Sequence, residues 1–199
     1  MRSSATLLKE YFEKLAIEER GCPTKHLRIF DFDDTLVKTA SRVHITRIDG
    51  SKFDLVPAAF AAYDAQPGDV FDYTDFTTIV EPRSIKWTNQ ILHRVYAHHG
   101  PAGVSVLTAR GSPEPISQYM STMNIVGLDV IALGTTDPGA KAAWIDQRIR
   151  RDNLQLVEFF DDSIRNVSAV RELRNAHPDV KIIGRHVIHN RIRRSLTNH

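Results

Sequence analysis

At 199 residues, 42% hydrophobic and 25% charged, the chain suits one globular domain with a small insert. It contains no run of about 18 apolar residues that could cross a membrane. One cysteine, Cys22, excludes an internal disulfide, and no CxxC pair offers a zinc site. The N-terminus is charged from Lys9 onward without the apolar core of a signal peptide, so a reducing cytoplasm is the expected compartment. Net charge is only +2 but unevenly spread. Asp49, Asp54, Asp64, Asp69, Asp72, Asp75 and Glu81 face Lys52 alone, whereas Lys181, Arg185, Arg191, Arg193 and Arg194 meet no acid before His199.

Residues Thr6 to Arg20 carry an apolar stripe of Leu8, Phe12 and Leu15 with Leu7 and Tyr11, which predicts a helix packed on the core. Gly21, Pro23 and Thr24 stop it. Leu27 to Phe30 is a short apolar run that breaks into carboxylates, the pattern of a buried parallel strand. Beyond it the texture changes. Val43 and Ile45 alternate with polar residues, Asp49-Gly50 offers a hairpin turn, and Phe53 and Leu55 resume the alternation. Pro57 can open a short helix to Tyr63, Gln66-Pro67-Gly68-Asp69 is a turn, and Val70 to Val80 is aromatic-rich and extended or irregular.

The core pattern then resumes. Helices are predicted over residues 84–99, 113–124, 137–149 and 164–175, and strands over 104–107, 128–133, 154–160 and 180–183. Alternation at these lengths predicts an α/β, Rossmann-like, doubly wound parallel sheet. The expected organisation is an N-terminal helix (1–25), a core (26–37 and 85–190), a small cap or flap insert after the first strand (38–84) and a basic tail (191–199).

In open α/β sheets the chemistry lies just beyond the carboxyl ends of the strands. Asp31 and Asp33 fall at such an edge, and a carboxylate pair suits a nucleophile and a general acid/base. A loop of helix-capping Asp and Thr is the plainer alternative. Two more strands end in chemically loaded residues, Thr108 and Asp161-Asp162, and Lys141 lies early in the helix before the fourth strand. In this order the motifs Asp31-Phe32-Asp33-Asp34-Thr35, Val106-Leu107-Thr108, Gly139-Ala140-Lys141 and Phe159-Phe160-Asp161-Asp162 resemble those of the haloacid dehalogenase (HAD) superfamily of Mg²⁺-dependent phosphohydrolases.

The resemblance implies that Asp31 attacks phosphorus to form an aspartyl-phosphate while Asp33 handles the leaving-group and water protons. It implies that Thr108 and Lys141 hold the phosphoryl oxygens, and that Thr35 and Arg110 belong to the substrate-binding set. Mg²⁺ would sit on Asp31, the Asp33 backbone carbonyl, and Asp161 or Asp162. Asn166, in Asp162-Ser163-Ile164-Arg165-Asn166, fits a variant of the fourth motif. Charge counting agrees: four carboxylates resist a phosphate dianion unless Mg²⁺ and Lys141 intervene, and oxygen-only ligands suit a hard cation.

Each residue also has a plainer reading. Thr108 can satisfy strand-end backbone, Lys141 can be a solvated helix lysine, Asp162 or Ser163 can cap the next helix, and Arg110 can be an exposed loop arginine. His98 and His99 close a helix, where imidazolium suits the dipole, and His186 and His189 lack an acidic companion in sequence. The expected substrate is a phosphorylated small molecule, a nucleotide or a polynucleotide end. The basic tail favours nucleic acid and the acidic cap opposes it. No GxxxxGK[ST] loop is present, which excludes a fused kinase. A catalytically silent binding or scaffold protein on the same fold, or a phosphotransferase with an acceptor other than water, are the competing classes.

Overall fold

The computed structural model describes residues 6, 8–13, 25–60, 63–188 and 191–194. Strand β1 (His26–Phe30) is the middle of the molecule: it pairs in parallel with β7 (Val104–Thr108) on one side and β9 (Leu156–Asp161) on the other. β8 (Asp129–Ala132) extends the sheet beyond β7, and β10 (Lys181–Ile188) extends it beyond β9, both in parallel. The order is therefore β10-β9-β1-β7-β8, five parallel strands. The chain winds outward from β1 to β8, then returns across it to β9, so the direction of winding reverses at β1.

Four helices connect these strands: α3 (Lys86–His99), α4 (Glu114–Thr122), α5 (Pro138–Asp152) and α6 (Ile164–Glu172). Side chains alternate across β1, and both faces are covered, Leu27 and Ile29 lining one and Phe30 with the buried Arg28 the other. Phe30 packs with Ile91, Leu92 and Val95 of α3 and Ile116 and Met120 of α4. Leu27 and Ile29 pack with Ile145 and Ile149 of α5 and Val167 and Val170 of α6. Across β1 and β9 the rings of Phe30 and Phe160 stack with centroids 4.6 Å apart. Burying a side chain of that size contributes about 1.5–3 kcal/mol before entropy is counted.

Of the predicted N-terminal helix, Thr6 and residues 8–13 (α1) are helical, and its remainder lies outside the described residues. Tyr11 is buried in the core, with Leu8 and Phe12 against it. Two boundaries differ from the sequence reading. The fifth strand runs on to Ile188, and residues 191–194, expected in a tail, turn back as the antiparallel edge strand β11 (Arg191–Arg194). Polar residues hid this extension: Arg185 pairs with the buried Glu158 of the neighbouring strand, Nη2 to Oε1 at 2.5 Å. That carboxylate also accepts from the Tyr11 hydroxyl at 2.8 Å and lies 3.7 Å from the fully buried Arg28 guanidinium.

The insert leaves and re-enters the core through a two-residue ribbon, β2 (Val37–Lys38) antiparallel to β6 (Arg83–Ser84). Within it, β3 (Val43–Thr46) and β4 (Lys52–Leu55) form the expected hairpin, and β5 (Val70–Asp72) pairs with the other edge of β3. The turn needs Gly50 at φ +81°, while the Asp49 carboxylate accepts from the Ser51 N–H at 2.9 Å. The helix α2 (Pro57–Phe60) is shorter than the pattern suggested, and Val70 to Val80 resolves into β5 and a 3-10 turn over Thr74–Thr77. Phe53, Phe60, Tyr63, Phe71, Tyr73 and Phe76 meet edge to face or tilted, so the insert holds an aromatic cluster of its own.

Candidate active site at the reversal of winding

The carboxyl ends of β1, β7 and β9 lie side by side, and each ends on a chemically loaded residue. Asp31 follows β1, Thr108 is the last residue of β7, and Asp161 is the last of β9. The Asp31 N–H donates to the Phe160 carbonyl at 2.8 Å, which seats this aspartate beside Asp161. Lys141, in the first turn of α5, reaches between them. Its Nζ donates to Asp31 Oδ1 and to Asp161 Oδ2, both at 2.7 Å, and its side chain is only 4% exposed. Lys141 is therefore not a solvated helix lysine.

Asp161 is fully buried and satisfied by donors on every side. The Ser163 N–H reaches it at 2.7 Å and the Asn166 amide lies 3.0 Å from both of its oxygens. Ser163 caps α6, its hydroxyl accepting from the Asn166 N–H, so capping and site-building share one loop. One carboxylate oxygen from each of Asp31, Asp161 and Asp162 lies within 4.8 Å of the others. Burial raises the Asp31 carboxyl well above its usual range, opposed by Lys141 and reinforced by the neighbouring Asp161 and Asp162. Asp162 keeps an exposed surface, yet desolvation by the surrounding protein, with Asp161 and Asp34 and against Lys141, pushes its carboxyl up to about 7. Burial alone would depress the Lys141 ammonium, but Asp31 and Asp161 outweigh it and hold its pKa above the ordinary lysine value. Three crowded carboxylates against one ammonium leave room for more positive charge. Asp31, Asp161 and Asp162 could together hold a hard cation, which oxygen donors suit.

Asp33 takes a different direction. Its carboxylate is gripped by the Arg110 guanidinium, Nε to Oδ2 and Nη2 to Oδ1, each at 2.8 Å. The side chain of Arg110 is 1% exposed, so it is not an exposed loop arginine. The turn that contains Asp33 has Asp34 at φ +54°, a left-handed conformation that Asp tolerates better than most residues. Leu36 and Val37 N–H groups close that turn on the Phe32 carbonyl at 2.9 and 3.0 Å. Helix α3 holds it from below: Thr88 Oγ1 donates to the Thr35 carbonyl and Asn89 Nδ2 to the Leu36 carbonyl, each at 2.6 Å.

Thr35 is buried, and its hydroxyl accepts from the Asp162 N–H at 3.0 Å, bracing the first motif against the fourth. Thr108 is also buried, and its hydroxyl accepts from the Arg110 N–H at 3.2 Å. His186, set aside in the sequence for want of an acidic companion, donates through Nε2 to the Asp162 carbonyl at 2.8 Å. Only the register of β10 against β9, His186 opposite Asp161, brings it there. His99 contacts Arg28 at 3.2 Å, in the polar network of the core.

Compared with protein-family models, with curated proteins and with solved structures, the chain matches none of them.

Proposed function

We propose that the chain is a Mg²⁺-dependent phosphomonoester hydrolase of the haloacid dehalogenase type, with residues 38–84 as its small cap. The observation that carries this reading is the convergence of Asp31, Lys141 and Asp161 at 2.7 Å contacts, from three segments spread over the chain. A phosphoryl transfer needs chiefly positioning and charge neutralisation, and this cluster is built for both.

In the proposed reaction an Asp31 oxygen attacks phosphorus in line as the bond to the leaving-group oxygen breaks. Asp33, entering the step in its protonated form, gives that oxygen its proton and is left as the carboxylate. The Asp33 carboxylate then takes a proton from water, whose oxygen attacks the aspartyl-phosphate, releasing phosphate and restoring Asp31. Lys141 and Thr108 hold the phosphoryl oxygens. Asp31, Asp161 and Asp162 would hold Mg²⁺, which would supply the further positive charge that a dianion requires among these carboxylates.

A groove of about 540 Å³ runs between the cap and α4, lined by Ile79, Pro82 and Pro115 as well as by Thr77, Ser112 and Tyr119. The purified chain with Mg²⁺ should release phosphate from p-nitrophenyl phosphate, and Asp31→Asn should bring release to background with the fold intact. Absence of release with both Mg²⁺ and Mn²⁺ rules the reading out. Activity that needs tightly held zinc overturns the metal assignment.

A further inference from the structure

A guanidinium has five N–H donors in a fixed fork. Those of Arg110 are fully occupied within the protein. Nε and Nη2 take the two oxygens of Asp33, Nη1 donates to the carbonyls of Thr78 at 2.6 Å and Phe76 at 3.2 Å, and Nη2 also reaches the Ser41 hydroxyl at 3.4 Å. Its carbon lies 5.6 Å from the Phe32 ring centroid and 5.3 Å from that of Phe76. Phe76, Thr78 and Ser41 all belong to the insert. Thr78 also lines the groove between insert and α4, and Ser112, two residues past Arg110, lines the opposite wall. Thr39, likewise from the insert, donates its hydroxyl to Asp33 Oδ1 at 3.1 Å.

We propose that Arg110 is a positioning residue that holds the Asp33 carboxylate and seats the insert against the core, coupling the groove wall to the acid/base group. This rests on the phosphomonoesterase reading for the role of Asp33, whereas the seating of the insert stands on the contacts alone. No N–H of Arg110 is left to take a substrate phosphate, which separates this role from direct phosphate binding. A lysine cannot replace it, because a point charge cannot engage both Asp33 oxygens and two carbonyls together.

The test uses the full chain as wild type, Arg110→Lys, Asp33→Asn and the double variant, each assayed on p-nitrophenyl phosphate and on glycerol 2-phosphate. Amide exchange over residues 74–80 is measured in parallel. Misplacing the acid should matter most for the poor leaving group, so Arg110→Lys should lose about 10²-fold on glycerol 2-phosphate and much less on the nitrophenyl ester. In the Asp33→Asn background the same change should cost no more than about twofold, because residues acting through one group are not additive. Exchange over 74–80 should accelerate in Arg110→Lys, and guanidinium ion should partly restore Arg110→Ala on the alkyl ester. Equal loss on both esters, or an undiminished loss in the Asp33→Asn background, overturns the positioning role. Unchanged exchange overturns the seating role. If the wild type hydrolyses neither ester, the enzymatic reading and the positioning of an acid fall together, and the exchange measurement alone decides whether Arg110 holds the insert.

Discussion

At Lys141 one ammonium serves two buried carboxylates at 2.7 Å each. Removing one partner of a buried ionic cluster typically costs about 3–5 kcal/mol, since the remaining charges stay desolvated. Lys141→Met, which keeps most of the stem volume, should therefore lower the unfolding free energy measured in chelator by about 3–5 kcal/mol. Millimolar Mg²⁺ should recover part of it, whereas wild-type loss of the same size on adding chelator alone would show that the cation outweighs the lysine. Asp31, Lys141 and Asp161 were legible in the sequence because each follows from a position: the end of an apolar run, or the first turn of a predicted helix. Roles set by contacts across the chain were not legible. Nothing local to Arg110 says that its guanidinium points back at Asp33, 77 positions away. Nothing local to His186 places it at the Asp162 carbonyl, since that depends on strand register.

Among the elements, the insert is the one whose acids look wasteful until their partners are seen. His44 on β3 sits between Asp54 of β4 and Asp75 of the following 3-10 turn, Nδ1 at 2.7 Å and Nε2 at 3.2 Å. Both ring nitrogens donate only when the imidazole is protonated. Hydrogen bonds to Asp54 and then Asp75 raise its pKa above the usual 6.5, slightly opposed by the little desolvation it has. A raised folded-state pKa means that the contribution is fully present below the unfolded value and is lost as pH climbs through the folded one. Amide protection in β3 and β4 should accordingly weaken as pH rises from below the usual imidazole value through the raised folded-state one, and His44→Gln should flatten that trend. A pH-independent profile in the wild type would refute the link. The hairpin itself was readable from Asp49-Gly50 and the flanking alternation. The strand β5 and the edge strand β11 were not, because they are held by pairing partners rather than by periodicity.

At the scale of the whole molecule, α6 lies close against β10 at Gly184. A methyl group added at Gly184 would lie 2.9 Å from Val167 Cγ1 and 3.0 Å from Arg171 Nε. The valine belongs to a packed core and cannot swing away, so Gly184→Ala should destabilise the protein by about 1–3 kcal/mol in denaturant unfolding. No loss of stability would mean that the helix can slide on the sheet. The layered parallel architecture was readable as alternation of strands and helices, while the winding order that places β1 between β7 and β9 emerges only from pairing. The narrow ribbon of β2 and β6 bears on how such a molecule can change over evolutionary time. Entry and exit of the insert are bonded to each other at Val37 and Ser84, and the Ile85 N–H donates to the Leu36 carbonyl at 2.9 Å. The two points where the core hands over its chain are thus neighbours. Whatever is spliced between them, a shorter loop or a larger lobe, asks no strand of the sheet to be rethreaded, so the chemistry of the strand ends can be inherited while its covering is exchanged.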